Sequence, residues 1–360
     1  MNKLNMVCPL GGTGYGIASL NILKELTKLC DISLFPLGSP AVDNQEDATL
    51  IQKIYENQSE FDINAPCLKI WHQFDLASTV GKVKSVAFPF FELDSFTKQE
   101  IAHLSSVDEL IVSSSWAKKI IEKNKIEVKT SVCQLGVDRK IFTGVSPVKE
   151  NEEEDTNKPY VFLNVGKWEK RKGHDILIDA FSMAFEETDN VELWLVPFNP
   201  FLTEEEKKSW HDYAYQSKLA ASNKVKIFNR LPNHTAVAEV MSYSDCGIFP
   251  SRGEGWNLEA LEMMASNKPV IITNYSSHTE FCNPENAFLI EIEKTEKAMD
   301  NKWFNGQGDW ATIGEKEMDQ MIGLMRKVYT ENIKGNSEGI KTADLLSWEN
   351  AAKKINKIIF

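Results

Sequence analysis

Segments with the character of short apolar strands alternate with amphipathic helical segments through most of this 360-residue chain. The helical spacing is clear where Ile17, Leu20 and Leu23 recur between two predicted strands. The alternation stops at residues 148–158, which are polar, strongly acidic and without apolar periodicity, and it starts again at residue 160. Alternation of this kind predicts parallel sheets with helices on both faces. We therefore predict an α/β chain of two Rossmann-like, doubly wound domains that face a cleft.

The acidic stretch sets the expected domain boundaries. The sequence predicts an N-terminal domain over residues 1–147, a solvated linker over 148–158 and a C-terminal domain that begins at residue 159. A chain of 360 residues is too long for one ordinary hydrophobic core, which also favours two domains.

Composition argues against several classes of protein. The formal net charge of −12 disfavours a nucleic-acid binder that relies on phosphate contacts. No run approaches the roughly 18 consecutive apolar residues of a membrane-spanning helix, and the N-terminus has too short an apolar segment for a signal peptide. The six cysteines are scattered without a CxxC pair, which predicts buried free thiols in a reducing compartment. We therefore expect a cytoplasmic protein.

A glycine-rich loop, residues 9–16, lies between the first predicted strand and the first predicted helix. Gly11, Gly12, Gly14 and Gly16 let backbone N–H groups approach an anionic ligand at the helix N-terminus. The loop matches neither G-x-G-x-x-G nor the Walker A pattern. A tight strand-to-helix turn explains it equally well, so both interpretations stay open.

A basic loop, residues 164–175, also follows a predicted strand and precedes a helix. Four cations lie in it between two glycines: Lys167, Lys170, Arg171 and Lys172. A solvated turn is the usual explanation of such a run. Here the run lies at the carboxyl end of a strand in an acidic chain, and fixed cations suit a diphosphate. Phosphate binding is therefore the favoured interpretation.

Two acids, Glu254 and Glu262, flank the start of a predicted helix within residues 251–271. Carboxylates accept hydrogen bonds from hydroxyl groups, so vicinal diols of a ribose or a hexose are natural partners. A first-turn acid on the helix dipole and a solvated helix face are the alternative explanation. The residues alone leave the two interpretations even.

Together, these segments resemble motifs of retaining GT-B glycosyltransferases, in particular glycosyltransferase family 4 (group 1). EGWNLEALEMMA is similar to the family's E-x7-E motif, and VGKWEKRKGHDILIDAF is similar to its phosphate-binding segment. LIVSSSWAKKII and VCQLGVDRKIF resemble two of its N-domain segments. SWENAAKKI resembles its C-terminal crossing helix, which implies that residues 346–360 return to the N-terminal domain and that the C-terminal domain covers 159–345.

The resemblance implies roles for individual residues. Glu262 would hold the ribose hydroxyls of a nucleoside-diphosphate sugar, and Glu254 would contact hydroxyls of the transferred sugar. Lys167 and Lys172 would stabilise the diphosphate, with Arg171 as a third cation. Glu254, Lys172 and Lys167 are thus the expected catalytic residues. Further donor contacts are expected from Gly11, Gly12, Gly14, Gly166, Gly255, Trp256, Asn257 and Leu258.

An N-domain histidine often contacts the donor sugar in this family, and His72 in the predicted strand 69–74 is the candidate. A satisfied core histidine is the alternative. Nearby aromatic residues could stack on sugars, but we expect them to fill the core: Trp71, Phe74, Phe88, Phe90 and Phe91.

The chain departs from the family pattern at two positions. Asn257 and Glu259 stand where the family often has Gly and Pro, and Asn257 leaves the identity of the donor open. A Pro at the first helical position is replaceable, so the fold should tolerate Glu259. No metal-binding DxD motif stands at a strand end, since Asp94 and Asp108 are isolated. The resemblance therefore implies a metal-independent enzyme without a cofactor.

The implied reaction moves a sugar from a nucleoside-diphosphate sugar to an acceptor hydroxyl with retention of configuration. In a glycosidase, the two acids would flank the scissile bond. Here the two acids are associated with a basic loop, which favours binding of a nucleotide sugar over hydrolysis. A sugar-nucleotide epimerase, a glycosyl phosphorylase and a catalytically inactive nucleotide-sugar-binding module of the same fold are the alternatives.

The N-terminal domain would bind the acceptor, with a glycan or lipid-linked glycan favoured. Any membrane contact would be peripheral on the inner face, with the basic segment 118–129 as the candidate and a solvated helix as its alternative.

Overall fold

Two parallel six-stranded sheets form the framework of the protein, whose computed structural model describes residues 1–56, 61–144 and 158–360. The first sheet has the order β2-β1-β3-β4-β5-β6. Its strands are Lys3–Cys8 (β1), Asp31–Pro36 (β2), Cys67–Lys69 (β3), Ser85–Ala87 (β4), Glu109–Val112 (β5) and Lys129–Val132 (β6). The second sheet has the order β12-β11-β10-β7-β8-β9. Its strands are Tyr160–Val165 (β7), Val191–Val196 (β8), Val225–Ile227 (β9), Cys246–Phe249 (β10), Val270–Asn274 (β11) and Phe288–Glu291 (β12). The predicted fold class is confirmed.

Helices connect the strands in both halves. Those of the first half are Gly14–Leu26 (α1), Gln45–Glu56 (α2), Lys98–Leu104 (α3) and Ser115–Lys123 (α4). Those of the second half are His174–Ala184 (α5), Glu204–Tyr215 (α6), His234–Tyr243 (α7) and Leu258–Ala265 (α8). Ser114, the residue directly before α4, accepts a hydrogen bond from the Ala117 backbone N–H at 3.1 Å. This cap satisfies one of the free N–H groups of the first turn.

The last 70 residues add elements outside the two sheets. An antiparallel hairpin consists of Thr295–Met299 (β13) and Asn305–Ala311 (β14). Three helices follow: Glu315–Thr330 (α9), Ser337–Leu345 (α10) and Trp348–Ile359 (α11). The hairpin reaches the first half of the chain, because the Asp309 backbone N–H donates to Asp94 Oδ1 at 2.7 Å.

Helix α11 packs against α1 of the first half. Lys84 Nζ donates to the Ile358 carbonyl at 2.6 Å. Gly136 makes this approach feasible, because a Cβ at that position would lie 2.2 Å from the Trp348 nitrogen. The C-terminal segment therefore lies on the N-terminal sheet, next to the end of β6.

The loop after β3 corrects one part of the sequence interpretation. The predicted strand 69–74 ends at Lys69, so His72 and Phe74 lie in the loop at the carboxyl end of the strand. The Phe74 side chain is 46% exposed, and the expectation that it fills the core is wrong for that reason. Its ring stacks on His72 with 5.1 Å between centroids. The other four aromatics are buried or half-buried: Trp71, Phe88, Phe90 and Phe91.

The thiols agree with the expectation from the sequence. All six cysteines are buried and free: Cys8, Cys30, Cys67, Cys133, Cys246 and Cys282. In the part of the chain that the structure describes, no helix combines the length and the apolar character needed to cross a bilayer. The predicted linker, residues 148–158, lies outside the described residues except for Lys158.

Candidate functional site

The basic loop and the acidic turn meet because their strands are neighbours. Strands β7 and β10 pair in parallel, with Cys246 opposite Phe162, so both loops leave the sheet at the same edge. Gly173 has φ +77°, and a Cβ there would lie 2.2 Å from the Pro250 carbonyl oxygen, a spacing that only glycine permits. The two loops therefore touch through their backbones.

Glu254 lies at the centre of the site and forms ion pairs with two cations. Its Oε2 is 2.7 Å from Arg171 Nη1, and its Oε1 is 2.9 Å from Lys172 Nζ. All three residues are buried, with side chains at most 8% exposed. Burial alone would raise the pKa of Glu254, but the charges of Arg171 and Lys172 outweigh it and hold the pKa far below its usual range. Glu254 is therefore a fixed carboxylate.

A second buried carboxylate, Glu169, extends the cluster. Its two oxygens are 2.8 Å from Lys167 Nζ and 2.8 Å from Arg171 Nη2. The Lys167 side chain is 38% exposed, whereas Arg171 and Lys172 are shielded from solvent. Lys167 is therefore the most accessible of these three cations. Sequence reasoning did not single out Glu169, although it lies within the quoted basic loop.

Lys170 of the same run points away from this cluster. Its Nζ donates to the Met299 carbonyl of the hairpin at 3.2 Å. Arg252 braces the two loops: its backbone N–H donates to the Arg171 carbonyl at 2.7 Å, and its guanidinium binds both oxygens of Asp175 at 2.8 and 3.0 Å. The acidic turn is therefore bound to the basic loop directly before Glu254.

Asn257 and His278 organise the start of α8. Asn257 has φ +83°, and its Oδ1 accepts from the Ala260 backbone N–H at 3.3 Å, which caps the helix. Its amide nitrogen lies 2.9 Å from His278 Nε2, while His278 Nδ1 lies 2.9 Å from the Thr273 carbonyl oxygen. These partners assign the proton of His278 to Nδ1. Burial lowers the pKa of His278 to about 4, so its ring is neutral.

Glu262 has a different environment from Glu254. It is buried, and its closest ionisable neighbour is His234, whose Nε2 lies 3.5 Å from Glu262 Oε1. Burial lowers the pKa of His234, so the ring supplies no positive charge at neutral pH. Burial and the neighbouring Glu259 raise the pKa of Glu262 well above its usual range. A buried acid without a close cation is stabilised when a ligand donates hydrogen bonds to it.

The N-terminal half contributes the glycine loop and His72. A Cβ at Gly12 or at Gly14 would meet no atom within 4 Å, so this loop is open to a ligand. Tyr15 follows the loop, and its ring centroid lies 4.4 Å from that of His72. Burial, with a smaller contribution from Lys167 of the other domain, lowers the pKa of His72 to about 4. His72 is therefore close enough to the basic loop to respond to its charge.

The remaining candidate positions fall around the same turn. A Cβ at Gly255 would lie 3.0 Å from that of Phe90, and a Cβ at Gly166 would lie 3.4 Å from the Lys172 stem. The Trp256 ring is buried against Phe281, and its indole nitrogen is buried without a partner in the described chain. Leu258 is the first residue of α8.

Three residues near the site had no signal in the local sequence: Glu92, His234 and His278. They reach it from separate loops and helices, so only the tertiary structure identifies them. In residues 1–56, 61–144 and 158–360, no group of three or more His, Cys, Asp or Glu could hold a metal ion.

We expect His174 to make the protein sensitive to mild acid. His174 is fully buried beside Trp168, and burial lowers its pKa to about 4. The unfolded chain takes up a proton below about pH 6.5, whereas the native ring stays neutral, so stability is lost as the pH falls from 6.5 towards 4. The loss at pH 5 is about 2 kcal/mol. Replacing His174 by Phe should remove it, as measured by urea unfolding at pH 7 and pH 5. Parallel pH dependence of the two proteins would contradict this assignment.

Comparisons with known proteins agree with the geometry. Residues 147–302 match the family model described as "Glycosyl transferases group 1". The chain is 23% identical over 273 residues to "Uncharacterized glycosyltransferase MJ1059" of Methanocaldococcus jannaschii, covering 70% of this chain and 63% of that protein. It is 23% identical over 217 residues to "Mannosylfructose-phosphate synthase" of Agrobacterium fabrum, covering 54% of this chain and 46% of that protein. The chain therefore spans less than two thirds of the length of these two relatives.

A third relative and two solved structures complete the comparison. "Capsular polysaccharide biosynthesis glycosyltransferase CapM" of Staphylococcus aureus is 25% identical over 281 residues, covering 76% of this chain and 67% of that protein. Sucrose-phosphate synthase from Thermosynechococcus elongatus superposes with a TM-score of 0.70 at 14% identity, covering 99% and 98% of the two chains. Anabaena Alr3699/HepE, in complex with UDP and glucose, gives 0.69 at 17% identity, covering 100% and 98%. Residues 147–302 therefore resemble a group 1 glycosyltransferase domain, and the whole chain has a GT-B fold.

Proposed function

We propose that this protein is a retaining, metal-independent glycosyltransferase of the family 4 type that moves a sugar from a nucleoside-diphosphate sugar to an acceptor hydroxyl. The observation that carries the proposal is the buried contact of Glu254 with Arg171 and Lys172. It joins an acid suited to sugar hydroxyls with two cations suited to a diphosphate, at the carboxyl ends of neighbouring strands.

The diphosphate would lie over the basic loop. Lys167 is the most accessible of the three cations, so it would meet the incoming diphosphate first. Arg171 and Lys172 are held in fixed positions by Glu169 and Glu254, and helix α5 begins directly after the loop. Fixed cations and a helix N-terminus stabilise the negative charge that develops on the leaving group. They would supply the charge that a metal ion supplies in other transferases.

The sugar would lie against Glu254. In the transfer, the bond between the anomeric carbon and the phosphate oxygen breaks as the acceptor oxygen bonds to that carbon from the same face. The acceptor proton passes to a departing phosphate oxygen, so no nucleophile of the protein is required. Glu254 would accept hydrogen bonds from sugar hydroxyls as the ring gains positive charge. Closure of the two domains would exclude water.

The two halves would divide the substrates between them. We assign the donor to the C-terminal domain, residues 159–345, and the acceptor to the N-terminal domain, residues 1–147. Glycan or lipid-linked glycan acceptors are favoured, since a relative is named for capsular polysaccharide biosynthesis. We place the protein in the cytoplasm, with at most peripheral membrane contact, which the free buried thiols support.

The test is release of free nucleoside diphosphate from a panel of nucleotide sugars. UDP-glucose comes first in the panel, because a structural neighbour binds it. We expect one donor to give nucleoside diphosphate and a glycosylated product whose anomeric proton shows retention. Binding of a donor without any turnover would support the inactive module instead, and loss of activity in EDTA would contradict metal independence.

Glu262 should make donor binding depend on pH. Its pKa is raised in the free protein, and ribose hydroxyls that donate to it would favour the ionised form. Donor binding would then release a proton, so the affinity rises with pH until the pKa of free Glu262 is passed and is constant above it. Calorimetric titration of the nucleoside diphosphate between pH 5 and 9 measures this dependence. Glu262→Gln should show weaker binding without the rise, and an unchanged pH profile would exclude Glu262 from the ribose site.

A further inference from the structure

Glu92 approaches the site from the N-terminal domain. It lies in the loop after β4, half-buried, and its backbone oxygen is 2.7 Å from the position that a Cβ on Gly253 would occupy. Gly253 precedes Glu254, and its own carbonyl accepts a hydrogen bond from Arg171 at 2.8 Å. The backbone of Glu92 is therefore packed directly on the turn that carries the central carboxylate.

The Glu92 carboxyl has no direct protein partner in the described chain, in contrast to Glu254 and Glu169. The charges that act on it most strongly are Arg171, Glu254 and Glu169, which places it beside the cluster. Burial raises its pKa above the usual range. Because Glu92 is only half-buried, its carboxyl oxygens can accept hydrogen bonds from a ligand that lies beside the cluster.

The hairpin fixes the segment that carries Glu92. Gln307 Nε2 donates to the Ser95 carbonyl at 3.1 Å and to Glu100 Oε2 at 2.7 Å. Gly308 packs on the same segment with φ +68°, and a Cβ there would lie 3.2 Å from the Leu93 Cβ. Residues 92–95 are thus held between the acidic turn on one side and the hairpin on the other. The position of Glu92 is determined by both domains.

We propose that Glu92 binds a hydroxyl group of an acceptor sugar. This inference rests on the proposed transferase function. The donor side of the cleft already has its acid and its cations in Glu254, Arg171 and Lys172, all from the C-terminal domain. Glu92 faces them from the other domain, and no cation neutralises it directly. A carboxyl group in that position accepts a hydrogen bond from a polyol that lies between the domains.

The test compares transfer with hydrolysis of the same donor. The donor identified in the panel is incubated with free hexoses, hexose 6-phosphates or octyl glucoside, and transfer to each is measured beside hydrolysis by water. In Glu92→Gln and Glu92→Ala we expect the KM for the sugar acceptor to rise about tenfold or more. Donor hydrolysis and the Kd for nucleoside diphosphate should stay within twofold, because neither needs an acceptor sugar.

Controls separate this inference from the proposed function. Glu122→Gln makes the same chemical change on the exposed face of α4 and should leave transfer unchanged. If the wild-type protein turns over no donor, the proposed function fails. If it transfers sugar and both Glu92 variants keep the wild-type ratio of transfer to hydrolysis, the assignment of Glu92 is wrong. Equal loss of transfer and hydrolysis would also overturn it, since that result indicates a structural role.

Discussion

Replacement of Lys172 by methionine is expected to lower the turnover number about 100- to 1,000-fold, the usual cost of losing one fixed donor to a developing negative charge. Methionine keeps most of the volume of the lysine stem, which packs beside Gly166. It removes only the ammonium group that lies 2.9 Å from Glu254. Steady-state kinetics with varied donor measure the effect.

Lys172 is more than a surface cation, because it is buried and its pKa is raised. Burial alone would lower that pKa, but Glu254 and Glu259 outweigh the effect and keep the ammonium charged. The departing diphosphate would therefore meet a permanent positive charge that needs no rearrangement of solvent. A compact fixed charge of this kind contributes more to the transition state than to ground-state binding, so the KM for the donor should change less than the turnover number.

The control for this variant lies in the same basic run. Lys170→Met removes an equal charge from a side chain that binds the hairpin carbonyl of Met299 instead of the cluster. Its turnover should fall less than about threefold, the scale of a surface electrostatic effect. Thermal unfolding of both variants checks for loss of structure. We expect none, because Glu254 keeps Arg171 as a partner. Equal kinetics of Lys170→Met and Lys172→Met would show that only the net charge of the loop matters.

The sequence was sufficient for the framework because both sheets depend on local patterns. Strands such as β7 are almost entirely apolar, and the helices between them repeat apolar residues at helical spacing. The hairpin β13–β14 had no such pattern, since most of β13 is exposed. Its structure depends instead on contacts with distant residues such as Asp94 and Arg252. No periodicity in residues 295–311 predicts those contacts.

Some residues of the site could also be predicted from the sequence, whereas others could be identified only from the fold. The cations and the two acids were found from short segments, because each segment follows a strand and precedes a helix. The pairing of Arg171 with Glu254 joins residues 83 positions apart and depends on the adjacency of β7 and β10. Glu92 enters from a loop and His278 from a short 3-10 helix, and neither segment carries a sequence motif. Sequence reasoning identified the groups that a donor would need, but the partners that fix them required the fold.

The most discriminating prediction separates Glu254 from Glu262. We expect Glu254→Gln to lower the turnover number about 100-fold or more with a modest change in the KM for the donor. We expect Glu262→Gln to raise that KM about 10- to 100-fold while the turnover number changes little. Both substitutions keep the side-chain volume and leave a group that cannot ionise, and both would be measured with varied donor at saturating acceptor.

The environments of the two acids support this division. Glu254 is a carboxylate held between Arg171 and Lys172, beside the bond that would break. Its interaction with the sugar would strengthen as the ring gains positive charge, and such interactions appear in the turnover number. Glu262 lies on α8, and its closest ionisable neighbour is the ring of His234 at 3.5 Å. It would hold the ribose, which does not change during the reaction. Glu262 would therefore stabilise the bound donor and the transition state equally, and its loss would raise the KM for the donor.

Stability must be measured beside the kinetics, because the two substitutions differ in what they leave behind. Glu254→Gln leaves Arg171 and Lys172 buried with less compensation, and breaking a buried pair costs about 3–5 kcal/mol of unfolding free energy. Glu262→Gln removes an acid whose ionisation is already disfavoured, so its unfolding free energy should change little or rise at neutral pH. If both folded variants keep wild-type kinetics, neither acid touches the donor. If the kinetic profiles are reversed, the donor lies in the opposite orientation, with its ribose at Glu254 and its transferred sugar at Glu262.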